Sequence, residues 1–347
     1  AQVDGFDVAG KTGTAFKAAD NGTYFDADGN RIYYSSFVGF FPADDPQVTV
    51  LVSVDEPPAG TDDRFGGTAA APVFAELTPT LVHDEPVPPP AHPLPRVMAV
   101  ANQKGGVGKT TTTVNLGAAL ADMGQRTLLV DLDPQGNAST GLGIENRGLQ
   151  HSMYHVLMHE EPLENVVEPT DVRNLFVAPA SLDLAGAEIE LVPAFSREQR
   201  LKRAIDAVLD DYDYVLVDCP PSLGLLTVNG LAAAHEVLVP IQCEYYALEG
   251  LGQLLRNVDL VRRNLNPALE VSTILCVMYD ARTKLAEQVV TEVREHFGEK
   301  VLRSVIPRSV RLSEAPSYGQ PITTFDPLSR GAIAYRDAAK EVHDDAA

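Results

Sequence analysis

Two lysines, three glycines and two threonines fall within eight consecutive residues, Lys104-Gly105-Gly106-Val107-Gly108-Lys109-Thr110-Thr111. The segment lies between an apolar run at Val97–Ala101 and a helical pattern ending at Gly124. Glycines let the backbone curl so that successive N–H groups, here those of Gly105–Lys109, point inward at phosphate oxygens. The helix that follows turns its positive N-terminal end toward the same anion. A strand before and a helix after are the context in which such a loop cradles a nucleoside triphosphate. In that cradle Lys109 reaches the β and γ phosphates as a compact positive charge, Thr110 offers its hydroxyl to Mg²⁺, and Thr111 completes the wall. The segment departs from the common GxxxxGK[ST] spacing at one place. Gln103 stands where the first glycine would be, and a second lysine, Lys104, follows it.

Three further segments carry polar chemistry at the ends of apolar runs. Thr127–Asn137 brings two carboxylates, Asp131 and Asp133, into a turn at Pro134. Tyr214–Pro221 ends four apolar residues in Asp218, where a carboxylate can hold a metal through a water. A core strand ending in Asp is common, so this signal draws its strength from the phosphate loop. Val305-Ile306-Pro307-Arg308-Ser309-Val310-Arg311-Leu312-Ser313-Glu314-Ala315-Pro316 forms the fourth segment.

Together these segments resemble the ParA/MinD ATPases, whose "deviant" phosphate loop carries the extra lysine, and the last one resembles the Soj-type chromosomal ParA proteins. The resemblance runs from about Pro95 to Val342. It implies ATP and Mg²⁺ as cofactors and Asp133 as the carboxylate that orients or activates the attacking water. Asp131 then supports either the metal shell or the switch conformation. Lys104 reaches across a dimer interface to the other subunit's nucleotide, so that ATP joins two subunits and hydrolysis releases them. Pro307 and Ser309 contact the adenine; Ser309 replaces a more usual asparagine, which weakens that contact. Arg282 and Arg311 match DNA-binding arginines, which hold phosphates without reading sequence. The implied function is ATP-dependent partitioning of a chromosome or plasmid, with a ParB partner, nonspecific double-stranded DNA and a cytoplasmic, nucleoid-associated location. A MinD-like membrane-positioning ATPase is the alternative. It needs a basic amphipathic terminal helix, and the acidic, weakly apolar tail Ala339–Ala347 disfavours it.

The elements that must position these groups follow from periodicity. Apolar strands are expected at Val97–Ala101, Thr127–Asp131, Asn174–Ala178, Tyr214–Asp218, Glu236–Ile241, Val271–Met278 and Val301–Ile306. Helices are expected at Lys109–Met123, Arg197–Leu209, Leu248–Asn264, Leu285–Phe297 and Ala332–Val342. Strands alternating with helices predict an α/β fold, a doubly wound, mostly parallel sheet of the P-loop NTPase type, with ligands at the carboxyl ends of its strands.

The remainder of the 347 residues reads differently. Asp84–Pro95 is half proline and predicts a semi-rigid extended linker. Ahead of it, Tyr33–Phe41 and Val48–Val54 predict a hairpin turning at Pro42–Pro46, and Gly66–Leu81 a short helix. Val8–Ala15 contains Lys11-Thr12-Gly13, similar to the strand motif of penicillin-binding transpeptidases, and residues 1–82 resemble the carboxyl-terminal end of such an enzyme. The nucleophile of that family comes from a Ser-x-x-Lys motif earlier in the chain, and none precedes Lys11. The expected organisation is a transpeptidase fragment at 1–83, a linker at 84–95 and the ATPase at 96–347. Joined or truncated reading frames are the expected origin of the pairing.

Composition sets further bounds. Residues 1–95 carry 4 basic and 14 acidic side chains and residues 96–347 carry 23 and 34, within a net charge of −21. Any DNA contact must therefore come from a local patch and be salt-sensitive. No apolar run approaches the roughly 18 residues that span a bilayer. Cys219, Cys243 and Cys276 lie in or beside apolar runs without metal spacing and read as buried reduced thiols.

Overall fold

Uninterrupted aliphatic runs form strands that are covered on both faces, and this is how the larger part of the chain is built. The computed structural model describes residues 9–16, 33–41, 48–55, 70–73, 94–145, 148–244 and 247–344. The chain divides into two units, Ala1–Val87 and Pro88–Ala347.

The second unit contains β4 (Arg96–Val100), β5 (Thr127–Asp131), β6 (Glu168–Pro169), β7 (Leu175–Ala178), β8 (Tyr214–Asp218), β9 (Glu236–Gln242), β10 (Glu270–Tyr279) and β11 (Val301–Pro307). They form one sheet in the order β11-β10-β9-β4-β8-β5-β7-β6. All pairings are parallel except that of β6 with β7. Every residue of β4, β5 and β8 is buried. The helix Lys109–Asp122 lies close on the sheet because Gly117 has no side chain to hold it off: a Cβ there would meet Leu129 at 3.2 Å. Parallel strands end at one rim, so the phosphate loop after β4, the Asp133 turn after β5 and the loop after β8 converge there.

The expected helix Arg197–Leu209 is broken into a 3₁₀ turn at Arg197–Gln199, an α-helix at Arg200–Asp206 and a second turn at Leu209–Asp211. Asn229 explains the first break. Its Nδ2 donates to Arg197 O at 2.9 Å and its Oδ1 accepts from Leu201 N at 3.2 Å, taking both groups of what would be one helical hydrogen bond. The helix Leu225–Ala233 is buried almost all round and carries no amphipathic stripe, so periodicity did not announce it.

The first unit is an antiparallel sheet, β1 (Ala9–Phe16), β2 (Tyr33–Phe41) and β3 (Val48–Asp55), with β2 in the middle. Lys11, Thr12 and Gly13 lie on β1. Phe37, Val52, Ala70 and Ala71 are buried. The turn expected at Pro42–Pro46 lies outside the described residues. So do residues 84–93 of the linker and, apart from helical residues 70–73, the helix expected at Gly66–Leu81.

A buried ion pair crosses the middle of the large sheet. Arg96 on β4 donates to both oxygens of Glu236 on β9, at 2.8 and 2.6 Å, and also to the carbonyl of Val342 in the last helix, Arg330–Asp344. Tyr214 lies beside the guanidinium and its hydroxyl meets His343 Nδ1 at 3.0 Å. Removing one member of such a pair leaves a buried charge uncompensated. Glu236→Ala is therefore expected to lower the unfolding free energy of this unit by about 3–5 kcal/mol, measured by urea denaturation.

Candidate functional site

The phosphate loop is curled by two glycines in the left-handed region, Gly106 at φ 74° and Gly108 at φ 84°, a conformation that is strained for other residues. Asn102 anchors its base: Nδ2 donates to Pro240 O at 2.8 Å, and Oδ1 accepts the Lys104 N–H at 3.0 Å. Lys109 is 7% exposed and its ammonium donates to the Lys104 carbonyl at 3.2 Å, so the loop closes around its own lysine. Burial lowers the Lys109 pKa, against the attraction of Asp218, Cys219 and Asp133.

Two aspartates stand opposite one another at the ends of β5 and β8, Asp131 facing Asp218 in register, both fully buried. Their partners differ. Asp131 Oδ1 accepts from the Asp133 N–H at 3.1 Å, while its Oδ2 accepts from Ser139 N and Oγ at 2.9 and 2.7 Å. It fixes the turn that presents Asp133. Of the two roles expected of Asp131, metal shell or switch conformation, these bonds bear on the second, since they tie both oxygens to that turn. Asp218 Oδ1 accepts from Thr113 Oγ1 at 3.2 Å, but Oδ2 is buried with no partner among the described residues. Burial, then the Asp131 carboxylate, push Asp218 up to about 8. Burial raises Asp131 to about 6, held down by the Ser139 bonds. An unpartnered buried carboxylate oxygen beside a threonine hydroxyl suits a hard, oxygen-seeking cation. Among the described residues no group of three or more His, Cys, Asp or Glu could hold a metal alone, so most of such an ion's oxygens would come from a ligand and water.

A cleft of about 400 Å³ opens over this floor, lined by Gly105, Gly106, Lys109, Thr110, Asp133 and Pro221 among others. A second lobe of about 340 Å³ shares Gly108, Thr111, Met278 and Pro316 with it and is walled by Pro307, Ser309 and Tyr335. Met278 takes φ 54°, a conformation unusual for a non-glycine residue and often stored at functional sites. The polar lobe has the amides and the cation for phosphates, and the second lobe has the walls for a base. Asn115, unforeseen from sequence, braces the cleft: it lines the polar lobe, and its Oδ1 accepts the Ile322 N–H at 2.6 Å. Val107 is buried within the loop.

Lys104 does not line the cleft. Its side chain is 40% exposed, and its ammonium lies 3.8 Å from Glu244 Oε2. Arg282 and Arg311 do come together, with Arg308 and Arg330, around a depression of about 540 Å³. Arg282 is paired with Asp280 at 2.7 Å; Arg311 is paired with Asp326 at 2.9 Å and Glu314 at 3.1 Å, and lies over Phe325. Sequence reasoning found the arginines and missed these carboxylates, whose spacing from them carries no motif. Cys219, Cys243 and Cys276 are free and buried.

Residues 95–271 match the AAA domain family and residues 1–78 the penicillin binding protein transpeptidase domain. The sporulation initiation inhibitor protein Soj of Bacillus subtilis is 58% identical over 247 residues, covering 71% of this chain and 98% of that protein. The chromosome partitioning protein ParA of Myxococcus xanthus is 51% identical over 247 residues, 71% of this chain and 87% of that protein. The chain belongs to the Soj/ParA family. Among solved structures, a cobyrinic acid a,c-diamide synthase of Mycobacterium smegmatis with bound ADP and magnesium is 43% identical, with TM-score 0.63, covering 72% of this chain and 94% of the other. This Soj/ParA chain is thus a P-loop ATPase with the mostly parallel α/β sheet of its relatives.

The Asp218 shift gives a pH prediction. Its folded pKa, about 8, lies above the ordinary carboxylate value of about 3.9. Its contribution to stability is therefore complete below about pH 4 and is lost as pH rises toward about 8. Without nucleotide and metal, Asp218→Asn should flatten this loss and be more stable than wild type at pH 8, as read by thermal melts across the range.

Proposed function

We propose that this Soj/ParA ATPase is an ATP-driven DNA-partitioning switch. The observation that carries the reading is the joint placement of Lys109, Thr110 and the unpartnered oxygen of Asp218 under a cleft whose loop also bears Lys104. The amides of Gly105–Lys109 take the phosphates of ATP, and Thr110 and Asp218 hold Mg²⁺, Asp218 through a water. Bound Mg²⁺ offsets the charge of the phosphate oxygens. Asp133, half-buried in the polar lobe and fixed by the Asp131 and Gln135 bonds, orients the attacking water. Pro307 and Ser309 wall the base.

Lys104, exposed and on the rim, extends to the nucleotide of a second copy, so that ATP joins two subunits and hydrolysis separates them. The dimer doubles the arginine groove of Arg282 and Arg311 into a surface for double-stranded DNA, without base reading. Nucleotide state then sets the population that binds the nucleoid, and a ParB partner stimulates hydrolysis and release. A MinD-like membrane role has less support. The last helix buries Tyr335, Ala338, Ala339 and Val342 against the unit, which leaves that apolar face unavailable to a bilayer, and no described helix is long and apolar enough to cross one. Residues 1–83, whose first 78 match the transpeptidase domain, are given no part in this switch.

The test is binding to random-sequence duplex DNA with ATP or ADP over a salt series. Binding should require ATP, ignore sequence and weaken steeply with salt. Arg282→Glu/Arg311→Glu should abolish it while nucleotide affinity is kept. ATP-dependent dimers that bind no DNA would remove the partitioning role and leave the nucleotide site standing.

A further inference from the structure

One carboxylate touches both the phosphate-loop lysine and the arginine groove. Glu244 lies two residues beyond Gln242, the last residue of β9, and is fixed locally: its N–H donates to Gln242 O at 2.8 Å, and its Oε1 accepts from Gln242 Nε2 at 2.6 Å. Its Oε2 lies 3.8 Å from Lys104 Nζ, and its Oε1 3.4 Å from Arg308 Nη2. Lys104 is anchored through its backbone, by Asn102 at the N–H and Lys109 at the carbonyl, so its side chain alone is free to move. Arg308 follows β11 and lines the groove with Arg282, Arg311 and Arg330.

We infer that Glu244 is a shared counter-ion that holds Lys104 on its own subunit and masks Arg308, so that one side chain opposes both dimerisation and DNA binding. The inference rests on the reading above, in which Lys104 serves a second subunit's nucleotide and the groove meets DNA. A lysine that crosses to another subunit must leave Glu244, and an arginine that takes a DNA phosphate must leave it too. Neither departure strands a buried charge, because Glu244 is about half exposed. Exposed pairs of this kind are weak, so each acts as a brake of a few fold rather than a lock. A purely structural role predicts the opposite sign: neutralising Glu244 would then weaken the fold and both binding steps.

The experiment compares the full wild-type chain with Glu244→Gln, with Glu299→Gln as an exposed carboxylate elsewhere, and with Glu244→Gln in an Arg308→Gln background. Dimerisation with ATP and Mg²⁺ is read by sedimentation equilibrium, DNA binding by fluorescence anisotropy on random duplex, and folding by thermal melts. Glu244→Gln should tighten each binding step by about two- to five-fold with an unchanged melt, and Glu299→Gln should tighten neither. In the Arg308→Gln background, with DNA binding read at protein concentrations where every variant is fully dimeric, the gain in DNA affinity should vanish while the gain in dimerisation remains. Unchanged or weaker binding by Glu244→Gln, an equal gain from Glu299→Gln, or a DNA gain that survives loss of Arg308 would overturn the inference while leaving the partitioning reading intact. A wild-type chain that neither dimerises nor binds DNA with ATP would overturn both.

Discussion

Two carboxylates placed side by side in a dry interior repel, and each loses its hydration; the centre of this molecule is organised around that conflict. Parallel pairing of β5 with β8 puts Asp131 opposite Asp218. Asp131 is settled by hydrogen bonds from the backbone and Ser139, which convert its charge into the shape of the Asp133 turn. Asp218 receives one hydroxyl bond, from Thr113, and keeps one oxygen without a donor. The nearby ammonium of Lys109 relieves part of the repulsion, and its own burial limits how much. A site that is electrostatically incomplete when empty gains most when a cation and its polyphosphate arrive together, and the cleft above it has room for both.

The second electrostatic theme is matching at the surface. A chain with net charge −21 still presents four arginines around one depression. Three of them are countered by carboxylates: Asp280 for Arg282, Glu244 for Arg308, and Asp326 with Glu314 for Arg311. Any polyanion that settles there exchanges one set of anions for another. The net gain is smaller than four bare arginines would give, because each paired arginine must give up a carboxylate as it takes a phosphate.

Much of this was legible in the sequence because it depends on short segments. The phosphate loop, Asp133 and Asp218 sit where strands end, and strand ends are marked by a change from aliphatic to polar residues. The strands themselves were legible because burial on both faces leaves uninterrupted aliphatic runs. What was hidden depends on contacts between distant residues. Asn229 breaks a helix 28 residues earlier in the chain by binding Leu201 N, and nothing near Arg197 signals it. Sequence leaves Asp131 between the metal shell and the switch conformation, and only the position of Ser139 shows how its oxygens are tied to the turn. Glu244 acquires its meaning from Lys104 and Arg308, which lie 140 residues before it and 64 after it.

The Arg96 pair has a consequence for how the chain folds. β4 is the first strand of its unit to be made, yet it sits between β8 and β9, and its guanidinium is completed by Glu236 and by the carbonyl of Val342 in the last helix. During synthesis the central strand therefore waits for nearly the whole unit, with a charged group that has no place in a half-formed core. Such long-range closure slows folding and prolongs the exposure of apolar strand edges. It also makes assembly all-or-none, because the sheet cannot bury Arg96 favourably until its last helix has docked.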